Sequence, residues 1–191
     1  MTTAIINLDL INEITHKNGK IAGYADRIES EKIIGNINKI NQWAREQKYL
    51  VIHVKVGFNH HYLDSSHISP IFSKAQQNNI LCLTEWGCQY HSELVVKPTD
   101  IEVIKHRISA FYGTDLDLIC RSNQINHVIL TGVSTSMAVE LTAREAHDRD
   151  YKVTIVTDAT TCASDTEKNS SLSILSRIAA LSSTQELLTL N

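Results

Sequence analysis

Apolar, β-branched runs alternate with amphipathic helical stretches along this chain, and that alternation restricts its possible folds more than any other feature. AIINLDL (4–10), YLVIHVKV (49–56), DIEVIKH (100–106), HVILTGV (127–133) and KVTIVTDA (152–159) read as strands. The first is apolar almost throughout, as a strand covered on both faces must be. RIESEKIIGNINKINQWAREQ (27–47) puts Ile33, Ile37, Ile40 and Ala44 on one helical stripe, widened by Ile34 and Trp43. TDLDLICRSN (114–123) reads as a short helix capped by Thr114. SMAVELTAREAHDRD (136–150) reads as a helix capped by Ser136, with Met137, Leu141 and Ala146 as packing residues. SDTEKNSSLSILSRIAAL (164–181) starts a further helix at Ser164 or Asp165, and ELLTL (186–190) is a short closing element. Strands that alternate with helices imply parallel pairing through right-handed crossovers. The expected fold is α/β: one domain over residues 1–191, a three-layer α/β/α Rossmann-like arrangement around a mainly parallel sheet.

Charge and cysteine usage narrow the partners. A net charge of -3 leaves no electrostatic footprint for nucleic acid. No apolar run approaches the roughly 20 residues that span a bilayer. MTTAIINLDL lacks a basic region and a small-residue cleavage site, so the expected location is cytoplasmic. The four cysteines, Cys82, Cys88, Cys120 and Cys162, are widely spaced and are expected to be reduced thiols. No glycine-rich dinucleotide or P-loop motif occurs, and no cofactor is expected. The expected partner is a small molecule, with neither nucleic acid nor membrane.

Open α/β sheets bind ligands beyond the carboxyl ends of their strands. That rule selects Asp9 after the first strand, Lys105 at the end of the third and the 133–138 turn after the fourth. Asp9 reads either as a cleft carboxylate with a shifted pKa, suited to acid or base work, or as an acceptor for loop amides. Lys105 reads as the partner of a carboxylate or as a lysine that snorkels to solvent. A pair with Asp9 accounts for both residues at once. The turn carries Gly132, Ser134, Thr135 and Ser136, and amides at a helix N-terminus can hold an anion or an oxyanion. A cysteine in that first turn would be favoured as thiolate by the helix dipole. This chain has Ala138 there, which is neither nucleophile nor acid.

These three places in order resemble the isochorismatase-like hydrolase superfamily of isochorismatases, nicotinamidases and carbamoylsarcosine amidohydrolases. AIINLDLINEI is similar to the family's opening strand, with Asp9 at the acid and Asn12 at an asparagine. VIKHRISAFYGTDLDLIC is similar to its lysine segment, with Lys105 at the lysine. LTGVSTSMAVELTAREAHDRDYKVTIVTDA is similar to its third motif, running on to Asp158. The resemblance covers residues from about 3 to about 180. It implies Asp9, Lys105 and the Ala138 position as the catalytic set. It also implies a cis bond at Val133–Ser134, with Val133, Ser134, Thr135, Met137, Asn12 and Phe111 around an oxyanion and substrate pocket. In the amidase branch a cysteine attacks the carbonyl, and here Ala138 holds that position. Ile11 also departs from the family glutamine.

Three explanations of Ala138 stand. The chain uses a thiol-free reaction, as isochorismatases do when an acid protonates a vinyl ether and water completes the hydrolysis. Alternatively it is a cysteine amidohydrolase disarmed by a Cys-to-Ala change, or a non-catalytic binder of small molecules. The first is favoured, because Ile11 and HVKVGFNHHYLDSSHISPIF depart from the nicotinamidase pattern as well. The expected substrate is a small anionic metabolite. His60, His61 and His67 invite a metal, but the family's Asp-x-His spacing is absent and Asp64 does not restore it; no metal is expected. The resemblance implies a homo-oligomer, dimer or tetramer. Residues 57–99 show no clear period and are expected to form a lid or that subunit contact. Trp86, Tyr90 and Phe111 fit an apolar pocket wall or a core, and His53 a satisfied core histidine.

Overall fold

The computed structural model describes residues 2–189. Its central sheet explains the apolar strand sequences. In β1 (Thr3–Leu8) every residue is buried. Ala4, Ile6 and Leu8 join one core, and Ile5 joins the core on the opposite face, as the two-residue period of a strand requires. β2 (Leu50–Val56), β3 (Ile101–Lys105), β4 (His127–Val133), β5 (Lys152–Thr161) and β6 (Ala180–Ser182) complete the sheet in the order β3-β2-β1-β4-β5-β6. All its pairings are parallel.

Helices cover both faces. The stripe Ile33, Ile37, Ile40 and Ala44 of α3 (Ile33–Glu46) packs on Ile5, Val51 and Ile129, with Leu187 from the last helix beside them. Leu116 and Cys120, Ala143 and Ala146, and Leu175 bring three helices onto the other face. The helices are α1 (Asn12–Thr15), α2 (Ala25–Ser30), α3 (Ile33–Glu46), α4 (Ala75–Asn78), α5 (Leu116–Ser122), α6 (Glu140–Asp148), α7 (Asp165–Leu175) and α8 (Thr184–Leu188). A third, smaller core lies at the end of β2 and beyond the sheet. It joins Ile11, Val56, Phe58, Tyr62 and Phe72 with Cys82 and Cys88, and so fastens much of the irregular 57–99 segment.

Several boundaries differ from the sequence expectation. The 27–47 helix is two helices, separated at Lys32, whose φ of 55° lies in the left-handed region. The helix expected over 164–181 stops at Leu175; residues 180–182 pair with β5 as a sixth strand, because an open sheet edge there outweighs the helix preference of RIAAL. Ser164 caps α7 by accepting from Glu167 N at 3.2 Å. The closing element is α8, and residue 190 of its expected span lies outside the described residues. Asp115 takes the N-cap position of α5, and Thr114, one residue earlier, accepts from Leu116 N at 3.2 Å while its Oγ1 donates to the Ala110 carbonyl at 2.6 Å. Ser136 does not cap a helix either, because a π turn over Thr135–Val139 precedes α6 and the Ser136 hydroxyl donates to Glu167. The buried stripe there runs through Val139, Ala143 and Ala146, while Met137 and Leu141 are exposed.

His53 sits fully inside the sheet. Asn7 Nδ2 faces its Nδ1 at 3.4 Å, and its Nε2 faces Asp100 Oδ2 at 3.2 Å, so both ring nitrogens are satisfied.

Gly132 is the backbone position that lets β4 lie against β1 at the site. Its φ is +102°, and a Cβ there would stand 2.1 Å from the Leu8 carbonyl oxygen and 2.6 Å from Leu8 N. The strand register between β4 and β5 shifts at the same point. Gly132→Ala is therefore expected to destabilise the fold by about 3 kcal/mol or more, near the upper end for a single substitution. Urea unfolding measures it, and a loss below about 1 kcal/mol would mean that β1 and β4 separate freely.

Candidate active site

The strand order places the site. From β1 the chain builds outward to β3, then returns to the other side of β1 with β4. The ends of β1 and β4 diverge at this switch point and leave a crevice. Asp9 follows β1, and Val133–Ser134 close β4 through a cis peptide bond.

Asp9 is only 4% exposed and has φ of 56°, a left-handed conformation that aspartate tolerates better than most residues. Three contacts hold it. Its N–H donates to the Val54 carbonyl at 2.8 Å, its Oδ1 accepts from Val56 N at 2.8 Å, and its Oδ2 meets Lys105 Nζ at 2.8 Å. Burial pushes the Asp9 carboxyl above its ordinary range; the Lys105 ammonium and the Val56 amide oppose that shift without cancelling it.

Lys105 is 2% exposed. It reaches the site because β3 ends there and the chain curls back over it. Its Nζ donates to Asp9 Oδ2, to the Arg107 carbonyl at 3.2 Å and to the Ile108 carbonyl at 2.9 Å. An ammonium has three protons, and all three have acceptors.

A cavity of about 360 Å³ opens onto this pair. Asp9, Lys105, Val133, Ser134, Met137 and Ala138 line it, so the structure brings six of the nine sequence-derived residues together. The other three are turned elsewhere. Thr135 Oγ1 bonds Thr160 Oγ1 at 2.8 Å, Asn12 Nδ2 donates to the Trp86 carbonyl at 3.0 Å, and Phe111 stacks on Tyr151 with ring centroids 5.7 Å apart. Trp86 and Tyr90 also miss the cavity. Trp86 packs against His16, and Tyr90 against His53. Asp158 accepts from Thr184 N at 2.7 Å and ties β5 to α8. The apolar wall comes from Ile14, Tyr24, Ile71, Phe72, Ile80 and Leu81. None of these carried a signal beyond lying in segments without clear period.

No thiol reaches the cavity. All four cysteines are buried, and none lines the cavity. Burial pushes Cys88 up to about 12 and Cys120 up to about 11. Ser136 Oγ is spent on Glu167. Among the described residues, no group of three His, Cys, Asp or Glu side chains could hold a metal ion. His60 and His61 pack ring against ring at 5.1 Å, and Asp64 accepts from Asn59 N.

Fold and site together define a doubly wound α/β protein with a buried acid–lysine pair facing the first turn of a helix. The isochorismatase domain family model matches residues 3–186, and the chain belongs to the isochorismatase family of hydrolases. Ureidoacrylate amidohydrolase RutB of Enterobacter sp. (strain 638) is 31% identical over 172 residues, 83% of this chain and 74% of its own length. The uncharacterized isochorismatase family protein YecD of Escherichia coli O157:H7 is 30% identical over 188 residues, 98% of this chain and 95% of its own. The crystal structure of an isochorismatase family protein from Desulfovibrio vulgaris has the same fold, with a TM-score of 0.87 at 19% identity over 97% of this chain and 96% of that one.

Proposed function

We propose that this chain is a hydrolase of small molecules in which Asp9 moves the proton and water, not a thiolate, is the nucleophile. The observation that carries the reading is a buried Asp9 carboxyl, shifted upward and fixed by Lys105 and the Val56 amide, that shares its cavity with the methyl group of Ala138. A carboxyl so placed retains a proton to higher pH than usual and can give it to a bound substrate. With an enol ether, that proton goes to carbon. Water then adds at the cation left behind, its proton returns to the carboxylate, and the adduct collapses to a carbonyl compound and an alcohol. Lys105 holds the carboxylate in place while it is charged.

A second reading is favoured by the likeness to ureidoacrylate amidohydrolase. Here the chain is an amidohydrolase without its nucleophile. Ammonia release from small amides and ureido acids, measured beside enol ether hydrolysis, separates the two with one variant. The first reading expects the chain to hydrolyse an enol ether and to release no ammonia. If neither happens, and Ala138→Cys alone releases ammonia, the thiol-free reading is lost and the second stands.

A further inference from the structure

The cavity described above has a chemical bias that follows from how its charges are spent. Among the described residues, Lys105 is its only lysine or arginine, and that ammonium already donates to Asp9, Arg107 and Ile108. A substrate carboxylate would find no free proton on it. Asp9 is the other ionisable carboxyl or amine in the lining, and it repels an anion whenever it is ionised. Three amides at the helix start are also spent. Ser136 N–H faces Cys162 Sγ at 3.3 Å, and Met137 and Val139 N–H donate to the Ser134 carbonyl at 3.2 and 3.1 Å. The rim is apolar as well. Ile71, Ile21 and Met137 stand at the cavity 48%, 39% and 38% exposed, where an anion-binding site would have a basic collar.

Two neutral side-chain groups remain. Among the described residues, the hydroxyls of Ser134 and Tyr24 have no hydrogen-bond partner in the protein, and both residues line the cavity. Each can donate or accept without requiring charge on the ligand. We infer that this site takes an uncharged substrate with a compact apolar body and one polar reacting group, seated against Ser134 and Tyr24, in preference to a carboxylate of the same shape. This departs from the expectation of an anionic metabolite: a buried carboxylate needs a paired charge or several free donors, and the side chains of the lining supply neither. The inference rests on the cavity being the substrate site, as proposed above.

Binding without turnover tests it. Isovaleramide and isovalerate, and cyclohexanecarboxamide and cyclohexanecarboxylate, are pairs of nearly equal shape that differ in charge. Titration calorimetry at neutral pH is expected to give the amides at least tenfold lower Kd than their carboxylates. Ser134→Ala is expected to weaken the amides by about fivefold, as loss of one neutral hydrogen bond does. Met137→Arg puts a free cation on the rim and is expected to shift the preference toward the carboxylates. Carboxylates that bind as tightly as the amides overturn the inference, and so does failure of all four to bind. Acid catalysis by Asp9 is measured separately, by turnover, so a carboxylate preference leaves it standing.

Discussion

Asp9→Asn lowers turnover by roughly 10²–10⁴-fold, the range for removal of a positioned general acid, and leaves the protein folded. The amide has nearly the shape of the carboxyl, so its oxygen can still accept from Val56 N, and the Asp9 N–H still reaches the Val54 carbonyl. Lys105 keeps the Arg107 and Ile108 carbonyls. What is lost is the proton, together with the acceptor that Oδ2 offers Lys105 Nζ. The same assignment fixes the pH dependence of the unsubstituted protein. An acid acts in its protonated form, and burial raises the Asp9 pKa, so the rate holds as pH rises past the ordinary carboxylate range and then falls as pH passes through the raised value. A pH–rate profile for enol ether hydrolysis reads this limb directly. An Asp9→Asn protein with an unchanged rate removes Asp9 from the mechanism.

Lys105→Met has a comparably large effect on stability. It leaves the buried Asp9 carboxylate without its cation, and breaking a buried pair from one side costs about 3–5 kcal/mol. The carboxyl then shifts further upward, because the ammonium that opposed its desolvation is gone. Replacing both residues, Lys105→Met with Asp9→Asn, restores much of the loss, since no unpaired charge stays buried. Urea unfolding of the two single variants and the double variant gives the coupling energy. A single-variant loss below about 1 kcal/mol, with additive effects, would mean that water reaches the pair and screens it.

Both experiments concern residues that were legible before any coordinates. Asp9, Lys105 and Ala138 stand out because strands are read from local period, and a strand's carboxyl end is where an α/β sheet binds ligands. The five strands β1 to β5 were visible as segments for the same reason. The edge strand β6 was not, because residues 180–182 have a helix-forming composition and pair only where β5 offers an open edge. Asn12, Thr135 and Phe111 lie close in sequence to site residues yet face Trp86, Thr160 and Tyr151. Position along a chain does not fix where a side chain points once a π turn or a loop intervenes.

The sequence by itself determined a parallel α/β sheet, an acid and a lysine at its carboxyl edge, and an alanine in the turn that follows its fourth strand. Only the tertiary structure decided what kind of pocket these residues make. Its apolar wall is assembled from segments that lack a period of their own, including Tyr24, Phe72 and Ile80. The state of Lys105 was equally hidden: whether a lysine is free to meet an anion depends on how many of its three protons have acceptors, and here the folded backbone of Arg107 and Ile108 takes two and Asp9 the third.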